Sequence, residues 1–381
     1  MIVNIRDYGA VADGITINTQ AIQAAIDAAA QEGGRVTVPT GVFLTQALTL
    51  HSHVELYLEK GSRLLATLRV PEDFPKRAFL YAEDAEDITI SGCGTIDGRA
   101  DDPSYRRFRV NDENRPNCIV LKNCRQVAVR DIHIQHSGCW TLRLWGCDGV
   151  QIRGITIECL KQGNNDGIDV DARNVTISDC LITCDDDGIC LKSDIPGFLP
   201  ENIVVTNCVI ASNCNSIKLG TSSYAGFRNV AFSNIVIRPT PESNIWDWSE
   251  HYRKVAPGTC TGLAGIAVEC VDGGTVENIS FDNIIMEGVI TPIFVCLNHR
   301  HGEKGVLRDL QFRGITAKAN GIIPCLISGV PGNAVENILL RDITVEQEGG
   351  EEPAREPLPE NLESCGRAVY PACQGHRHRP L

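Results

Sequence analysis

The strongest constraint on the fold of this chain is a pattern of eleven residues that recurs nine times. Each unit has two polar residues, an apolar-x-apolar run, a small or polar corner and a second apolar-x-apolar run, as in "RNVTISDCLIT". Alternation of this kind predicts two short strands joined by a bend. The units begin at residues 86, 125, 148, 173, 201, 228, 277, 308 and 336.

The spacing of the units indicates how they stack. Most starts are separated by 23 to 31 residues, about one coil of a parallel β-helix, in which each coil covers the next. Leucine-rich repeats fit badly because their LxxLxLxxN frame is absent, and propeller blades need about 40 residues or more. The sequence therefore predicts an all-β solenoid of the parallel β-helix type.

The two ends of the chain depart from the repeat. "INTQAIQAAIDAAAQEGG" predicts a capping helix over about residues 18–32, with Asn18 or Thr19 as its cap and Gly33-Gly34 as its stop. Residues 348–381 lose the pattern and are rich in Pro, Glu and Gly, which is typical of an irregular tail. We expect a single β-helix domain over residues 1–347.

Two spacings are long, and we expect their extra residues to form loops of about residues 97–117 and 239–262. Excess chain in a solenoid forms loops on one flank, often the binding flank. The second loop carries Trp246 and Trp248. Their rings are suited to stacking on sugars, and a small core within the loop is the alternative use for them.

Composition narrows the classes of partner. The formal net charge is -13, which disfavours binding to nucleic acid or to an anionic membrane surface. No apolar run reaches about 18 residues, so no span is expected. No leader pattern is visible, and we expect a cytoplasmic location unless a leader has been removed.

The cysteine count also favours a cytoplasmic location. The chain has 17 cysteines, an odd number, and no pattern of zinc ligands. We expect reduced thiols that act as small buried side chains, and neither a metal nor a cofactor.

An acidic stretch interrupts the repeat at residues 164–193, "NNDGIDVDARNVTISDCLITCDDDGICLKS". Asp166 and Asp186 are 20 residues apart, roughly one coil, so we expect them to be neighbours on adjacent coils. Alternation with Ile168, Val170, Ile189 and Leu191 predicts that the carboxylates lie on the outer, solvent-facing side of one sheet. A solvated corner or an asparagine-type turn ladder is the alternative, and it is the better explanation for any single aspartate.

Stacked carboxylates would suit one class of reaction. Their mutual repulsion splits their pKa values, so one is protonated while the other is ionised. Hydrolysis of a glycosidic bond needs such a pair, an acid for the leaving oxygen and a base for water.

At these residues the chain resembles glycoside hydrolase family 28, the polygalacturonase family of right-handed parallel β-helices. "NNDGIDVDARNVTISDCLI" resembles its NTDG motif and "DDDGICLKS" its DD motif. "SGCWTLRLWGCDGVQIRGITI" resembles its SPxWxxH region, with Arg143 where His is common, and the start of the chain resembles its cap. The resemblance implies an inverting glycosidase in which Asp186 is the general acid and Asp166 and Asp187 hold and activate water.

Later motifs of the family are altered here. Cys214 or Asn215 stands where the family has the His of GHG, and Ala267 and Glu269 stand where it has the two bases of RIK. Lys192, Lys218 or an arginine within residues 106–109 could supply the missing charge. The candidate substrate-binding residues are Asn164, Asp169, Lys192, Asn215, Lys218, Glu269, Trp246, Trp248 and His299.

Two other classes of function stay open. One is a lyase or epimerase on the same scaffold, in which the acidic cluster would hold Ca²⁺. The other is a β-helix that binds carbohydrate without catalysis. In each case the expected partner is an oligosaccharide or polysaccharide, and self-association into a homo-oligomer is left open.

Overall fold

A computed structural model describes residues 1–68, 73–74, 76–102, 115–242, 262–319 and 325–347. The chain divides into two compact units, Met1–Cys184 and Asp185–Leu381. Each unit is a stack of parallel strands wound as a right-handed parallel β-helix, which confirms the predicted fold class. The single domain predicted over residues 1–347 stays a prediction.

The first unit begins with strand β1, a 3₁₀ turn at Ile5–Tyr8, strand β2 and the helix α1. Its elements are β1 Ile2–Asn4, β2 Asp13–Ile17, α1 Thr19–Ala30, β3 Gly34–Val38, β4 Gly41–Thr45, β5 Leu48–Thr49, β6 Val54–Leu58, β7 Ser62–Ala66, β8 Ala78–Glu83, β9 Glu86–Gly92, β10 Thr95–Asp97, β11 Asn117–Lys122, β12 Arg125–Arg130, β13 His133–Gln135, β14 Leu142–Arg153, β15 Thr156–Cys159, β16 Ile168–Ser178 and β17 Leu181–Cys184.

The described part of the second unit is built from strands, several of which run through the bends between faces. These are β18 Ile189–Ser193, β19 Glu201–Thr206, β20 Val209–Ser212, β21 Asn215–Ser223, β22 Gly226–Ile237, β23 Gly262–Cys270, β24 Thr275–Leu297, β25 Val306–Ala319, β26 Leu326–Ser328 and β27 Glu336–Gln347.

The strands of each unit form three faces, defined here by the sequence repeat. Face A contains the first strand of each repeat, for example β9, β12 and the second half of β14. Face B contains the second strand, for example β10, β13 and β15. Face C contains the strand that precedes each repeat: β8, β11, β14 and β16 in the first unit, and β18, β21, β23, β24 and β26 in the second.

The register within each unit follows the sequence repeat residue for residue. In the first unit the predicted starts at residues 86, 125, 148 and 173 are Cα partners in succession, as are those at 201, 228, 277, 308 and 336 in the second. Within each of these columns acidic and basic residues alternate. Ion pairs result, such as Arg228–Glu201 at 2.5 Å and Arg308–Glu277 at 2.6 Å. Because like charges on paired strands repel, the alternation disfavours a shifted register.

Two residues in every repeat have left-handed backbone conformations, five positions apart. The first set is Asp87, Gln126, Gly149, Asn174, Asn202, Asn229, Asn278, Asp309 and Asn337. The second set is Gly92, Asp131, Gly154, Asp179, Asn207, Asn234, Asn283, Gly314 and Asp342. Gly, Asn and Asp tolerate this region best, which explains why they occupy all of these positions except that of Gln126.

The inward residues of successive coils stack into the core. Phe281 lies between Phe232 and Phe312, with ring centroids 5.3 and 5.0 Å apart and rings nearly parallel. Several cysteines follow a bend and point their Sγ at the carbonyl two residues earlier, as Cys180 and Cys208 do. The expectation of small buried thiols is confirmed for most described cysteines, whereas Cys93 and Cys325 are exposed and Cys296 is disulfide-bonded.

The helix α1 confirms the predicted cap of the first unit, and it buries Ile22, Ala25, Ile26 and Ala29. Asn18 is its N-cap residue by position, but its side chain makes no capping bond. That side chain instead accepts a hydrogen bond from the Val11 amide and donates to the carbonyls of Val11 and Thr16, so it fixes the loop before the helix.

Within the described ranges, no helix has the length and hydropathy that a membrane span requires. Residues 103–114, 243–261 and 348–381, which hold most of both predicted loops and the tail, lie outside the described residues.

Candidate active site

In the first unit, buried hydrogen bonds fix the segment before β16. Arg115 donates to the carbonyl of Gly138 at 3.1 Å, to the carbonyl of Gly163 and to Oδ1 of Asn164 at 2.8 Å. The side-chain Nδ2 of Asn165 donates to the carbonyl of Cys159 at 2.6 Å. These bonds therefore fix residues 163–165, which come directly before Asp166. The sequence did not point to Arg115, because it lies in a loop far from the acidic stretch.

The predicted exposure of the aspartates is wrong. Asp166 retains 2% of its accessible surface, Asp186 6% and Asp187 2%, and Asp169 is also buried. Alternation along a strand gives the side of a sheet on which a residue lies, but it does not report whether other side chains cover that side. The carboxylates therefore need partners, since an ionised group without them is strongly disfavoured in the interior.

In the second unit, hydrogen bonds and an ion pair fix the positions of Asp186 and Asp187. Oδ1 of Asp186 accepts from the amide of Asp187 at 2.9 Å, and the Asp186 carbonyl accepts from Oγ of Ser212 at 2.5 Å. Oδ1 of Asp187 accepts from Nδ2 of Asn215 at 2.8 Å, and its Oδ2 lies 3.1 Å from Nζ of Lys218. The predicted residues Asn215 and Lys218 thus both contact Asp187.

A third carboxylate, that of Glu269, is also near Lys218, with its Oε1 3.9 Å from Nζ. Burial raises the pKa of Asp187, but the charges of Lys218 and Lys192 and the Asn215 amide outweigh it, so the pKa is lowered. Burial raises the pKa of Glu269, and Lys218 offsets this only in part. Burial lowers the pKa of Lys218, but Asp187 and Glu269 raise it well above its usual value. Asp187 is therefore ionised at neutral pH, and Lys218 is charged.

A second set of buried polar residues fixes Asp185, the residue before Asp186. The sequence did not indicate this set. Nδ2 of Asn213 donates to Oδ1 of Asp185 at 2.6 Å, and Oγ1 of Thr240 donates to Oδ1 of Asn213 at 2.5 Å. The fully buried Asn213 thus joins Asp185 to Thr240. The signal was present as Asp185, the first aspartate of "DDD", whose partner could not be identified without the fold.

Face C of the second unit becomes apolar beyond Lys218. Lys218 pairs in register with Ala267, which pairs with Phe294, which pairs with Leu326. Ala267 and Phe294 pack in one cluster with Ala264, Val271 and Cys296. The position at which the resemblance implies a basic residue is therefore an alanine within an apolar cluster.

The remaining predicted residues lie elsewhere. His299 follows β24, and its Nε2 is 2.9 Å from Nδ2 of Asn333, while the neighbouring Arg300 pairs with Asp272 through two contacts of 2.8 and 2.6 Å. These contacts stabilise the turn after β24. A role for His299 in substrate binding stays a prediction. Trp246, Trp248 and residues 106–109 lie outside the described residues.

The cluster of Asp186, Asp187 and Cys214 is a poor set of ligands for Ca²⁺. Its three side chains can bring one ligand atom each to within 4.8 Å of the others. Burial and the two carboxylates raise the pKa of the Cys214 thiol well above its usual value, so the thiol is neutral. Ca²⁺ takes six to eight oxygen ligands, whereas this set offers two carboxylates, a neutral thiol and the nearby ammonium of Lys218.

Comparison with known proteins agrees with the sequence pattern. A family model described as "Glycosyl hydrolases family 28" matches residues 30–237, more than half of the chain. A probable polygalacturonase of Vitis vinifera is 28% identical over 266 residues, covering 61% of this chain and 54% of that protein. A probable rhamnogalacturonase A of Aspergillus oryzae is 25% identical over 289 residues, covering 75% of this chain and 54% of that protein. The chain thus spans about half the length of each.

A solved structure shares the fold. The exopolygalacturonase of Thermotoga maritima superimposes with a TM-score of 0.74 at 22% identity, covering 91% of this chain and 87% of that one.

Proposed function

This chain belongs to glycosyl hydrolase family 28, and we propose that it hydrolyses a pectin-related oligosaccharide with inversion at the anomeric carbon. The observation that carries the proposal is the buried, ionised Asp187, held by Asn215 and Lys218. A general base must be unprotonated at the working pH and rigidly placed. The lowered pKa of Asp187 and its contacts with Asn215 and Lys218 support this role.

We assign the roles as follows. Asp187, together with Asp166, orients and deprotonates the attacking water, and Asp186 protonates the leaving oxygen. The assignment of Asp166 and Asp186 rests on the motifs "NNDG" and "DDDG". The positive charge of Lys218 keeps Asp187 ionised while a neighbouring acid carries a proton, which is the division of labour that inversion needs.

The same contacts bear on the substrate. A buried uronate carboxylate needs a cationic partner, because leaving it without charge-assisted hydrogen bonds costs several kcal/mol. Around Lys218, however, the ammonium is already shared by Asp187 and Glu269, and Ala267 supplies no charge. We therefore expect plain polygalacturonate to be a poor substrate, and a linkage that places a neutral sugar such as rhamnose or galactose against this group to be a better one.

The test is a product screen with a matched pair of variants. Polygalacturonate, rhamnogalacturonan fragments and neutral pectic galactan are incubated with the unmodified chain, with Asp186→Asn and with Asp282→Asn. Asp282 is an exposed aspartate on face A of the second unit, so its variant controls for loss of a charge. We expect Asp186→Asn to reduce turnover by about 10² to 10⁴ and Asp282→Asn to leave it unchanged. A substrate whose leaving group needs no protonation should be cleaved well by Asp186→Asn and poorly by Asp187→Asn.

The screen also separates the competing classes. A lyase would release an unsaturated uronate that absorbs in the ultraviolet, and a Ca²⁺-dependent one would stop on addition of EDTA. A β-helix that only binds carbohydrate would release nothing, and Asp186→Asn would behave as the unmodified chain does. Reducing ends that appear without new ultraviolet absorbance, and that disappear with Asp186→Asn, support the glycosidase.

A further inference from the structure

Face B of the second unit presents a column of β-branched side chains to solvent. This face consists of residues 209–212, 235–238, 284–287, 315–319 and 343–347, the second segment of five successive repeats. Its first outward residues are Cα partners from strand to strand, namely Val209, Val236, Ile285, Thr316 and Thr344. Val236 is 41% exposed and Ile285 is 50% exposed. Side chains of this type in register suit packing against a second sheet.

A column of alternating charge runs beside the first column, two residues further along each strand. It contains Arg238, Glu287, Lys318 and Glu346, so its signs are positive, negative, positive and negative in the order in which the strands stack. All four residues are exposed. Within one chain the alternation brings opposite charges together, as in the 3.6 Å contact between Lys318 and Glu287. An exposed ion pair contributes less than about 1 kcal/mol, so the pattern adds little to the stability of a single copy.

The order of the signs makes this column complementary to its own reverse. A two-fold axis that is parallel to the strands and passes between β24 and β25 would place two copies face to face with their strand orders reversed. Glu287 would then face Lys318 of the partner subunit, and Arg238 would face Glu346 of the partner subunit. If the axis instead ran along the stack of strands, each charged residue would lie at the level of its own counterpart, and like charges would meet.

The size of the face sets the strength of such a dimer. Five strands at a spacing of about 4.8 Å give a strip roughly 24 Å long. The area that two such strips bury is smaller than the total of about 1,200 Å² from which stable interfaces begin. We therefore expect a dimer in rapid exchange with the monomer, with a Kd of roughly 10 to 100 µM.

We propose that face B of the second unit is the interface of a two-fold symmetric homodimer. The partner is a second copy of this chain, because the charge column matches its own reverse. The inference does not depend on the proposed function, since none of the outward residues named above belongs to the candidate active site.

The experiment measures the mass of the full chain by sedimentation velocity at concentrations from about 1 to 300 µM. It compares the unmodified chain with two charge reversals, Glu287→Lys and Lys318→Glu, each alone and then mixed in equal amounts. Glu303→Lys is the matched control, because it reverses an exposed charge in the turn after β24, away from face B. Circular dichroism and thermal midpoints verify that each variant is folded.

The expected result is a loss that the mixture restores. The unmodified chain should dimerise reversibly, and its Kd should rise with salt because the matched charges are exposed. Each reversal alone should raise the Kd by at least about 10-fold, since it creates two like-charge contacts in every dimer. The mixture should dimerise about as well as the unmodified chain, because the new lysine of one variant faces the new glutamate of the other. Glu303→Lys should leave the Kd unchanged.

Three results would overturn the proposal. The first is an unmodified chain that stays monomeric up to about 300 µM. The second is a dimer whose Kd is the same after either single reversal, because a different surface would then hold it together. The third is a mixture of folded variants that stays monomeric, because the loss would then not arise from contact between the two charge columns.

Discussion

Replacing Lys218 with methionine should destabilise the second unit strongly at neutral pH. The side chain of Lys218 is 13% exposed and those of Asp187 and Glu269 are 3% exposed, so all three side chains lie largely out of bulk water. At an effective dielectric constant of about 20, an attraction over 3.1 Å is worth about 5 kcal/mol and one over 3.9 Å about 4 kcal/mol. Desolvation opposes both, and removing one partner of a buried pair costs about 3–5 kcal/mol.

The effect should depend on pH with a defined sign. The pKa of Asp187 is lowered from 3.8 in the folded state, so its stabilising contribution is present above that value and is lost as pH falls through the folded pKa. The pKa of Lys218 is raised above 10.5, so its contribution is present below that value and is lost as pH rises through the folded pKa. In the Lys218→Met variant the burial of Asp187 is no longer opposed by the Lys218 charge, so the pKa of Asp187 is higher there than in the unmodified chain. The penalty is therefore complete at pH 7 and decreases in acid, where Asp187 of the variant takes up a proton.

Urea unfolding followed by circular dichroism at pH 7 and pH 4.5 measures this penalty. Glu269→Gln is the matched control, because it removes a buried carboxyl whose pKa is raised and leaves the contact between Lys218 and Asp187 in place. We expect it to change the free energy of unfolding by no more than about 1 kcal/mol, because the desolvation of Glu269 offsets its attraction to Lys218. We also expect it to reduce the penalty of Lys218→Met in the double variant. A penalty below about 1 kcal/mol at pH 7, or one that is independent of pH, would refute this account of Lys218.

Three further changes test the fold. Asp97→Asn should lower the free energy of unfolding by about 2 kcal/mol at pH 7 and by little at pH 2. The reason is that hydrogen bonds to Asp97 from His136 and other residues outweigh the effect of burial and lower the pKa of Asp97 to about 2. Urea titrations at the two pH values check this. Phe281→Ala should cost about 3–5 kcal/mol through loss of two ring contacts and a cavity, measured against Phe281→Leu, which should cost less. Asn278→Val should be destabilising by at least about 1 kcal/mol at its left-handed φ of 57°, whereas Asn278→Gly should cost less; equal thermal midpoints for the two variants would contradict the backbone argument.

The repeat made most of the fold predictable. Nine repeat starts identify the paired residues within each unit, because a coil that covers its neighbour keeps the same inward positions. The left-handed bends could also have been predicted, since Asn, Asp or Gly recurs at fixed places in the pattern. The alternation of acidic and basic residues at the repeat starts is also visible in the sequence. It predicts ion pairs only once those residues are known to be partners on neighbouring strands.

The candidate site was predictable in its residue types but not in its environment. Asn215 follows Asp187 by 28 residues, and their contact follows from stacking of coils. The burial of Asp187 does not follow from the pattern, because it depends on side chains from other strands, such as Lys218, that pack beside it. Arg115 is 49 residues from Asn164 and reaches it through a loop that carries no periodicity. Such contacts depend on tertiary structure and leave no local signal.

The proposed reaction is hydrolysis of a glycosidic bond by direct attack of water, with Asp187 and Asp166 as the residues that hold the water. The most direct test is a proton NMR time course of the reaction on the best substrate of the product screen, recorded before the new reducing end can equilibrate. If the reaction inverts the anomeric carbon, the first anomeric signal belongs to the form inverted relative to the cleaved linkage, and the other form appears only later. A first product that retains the configuration of the linkage, or one that carries a carbon–carbon double bond, would contradict it.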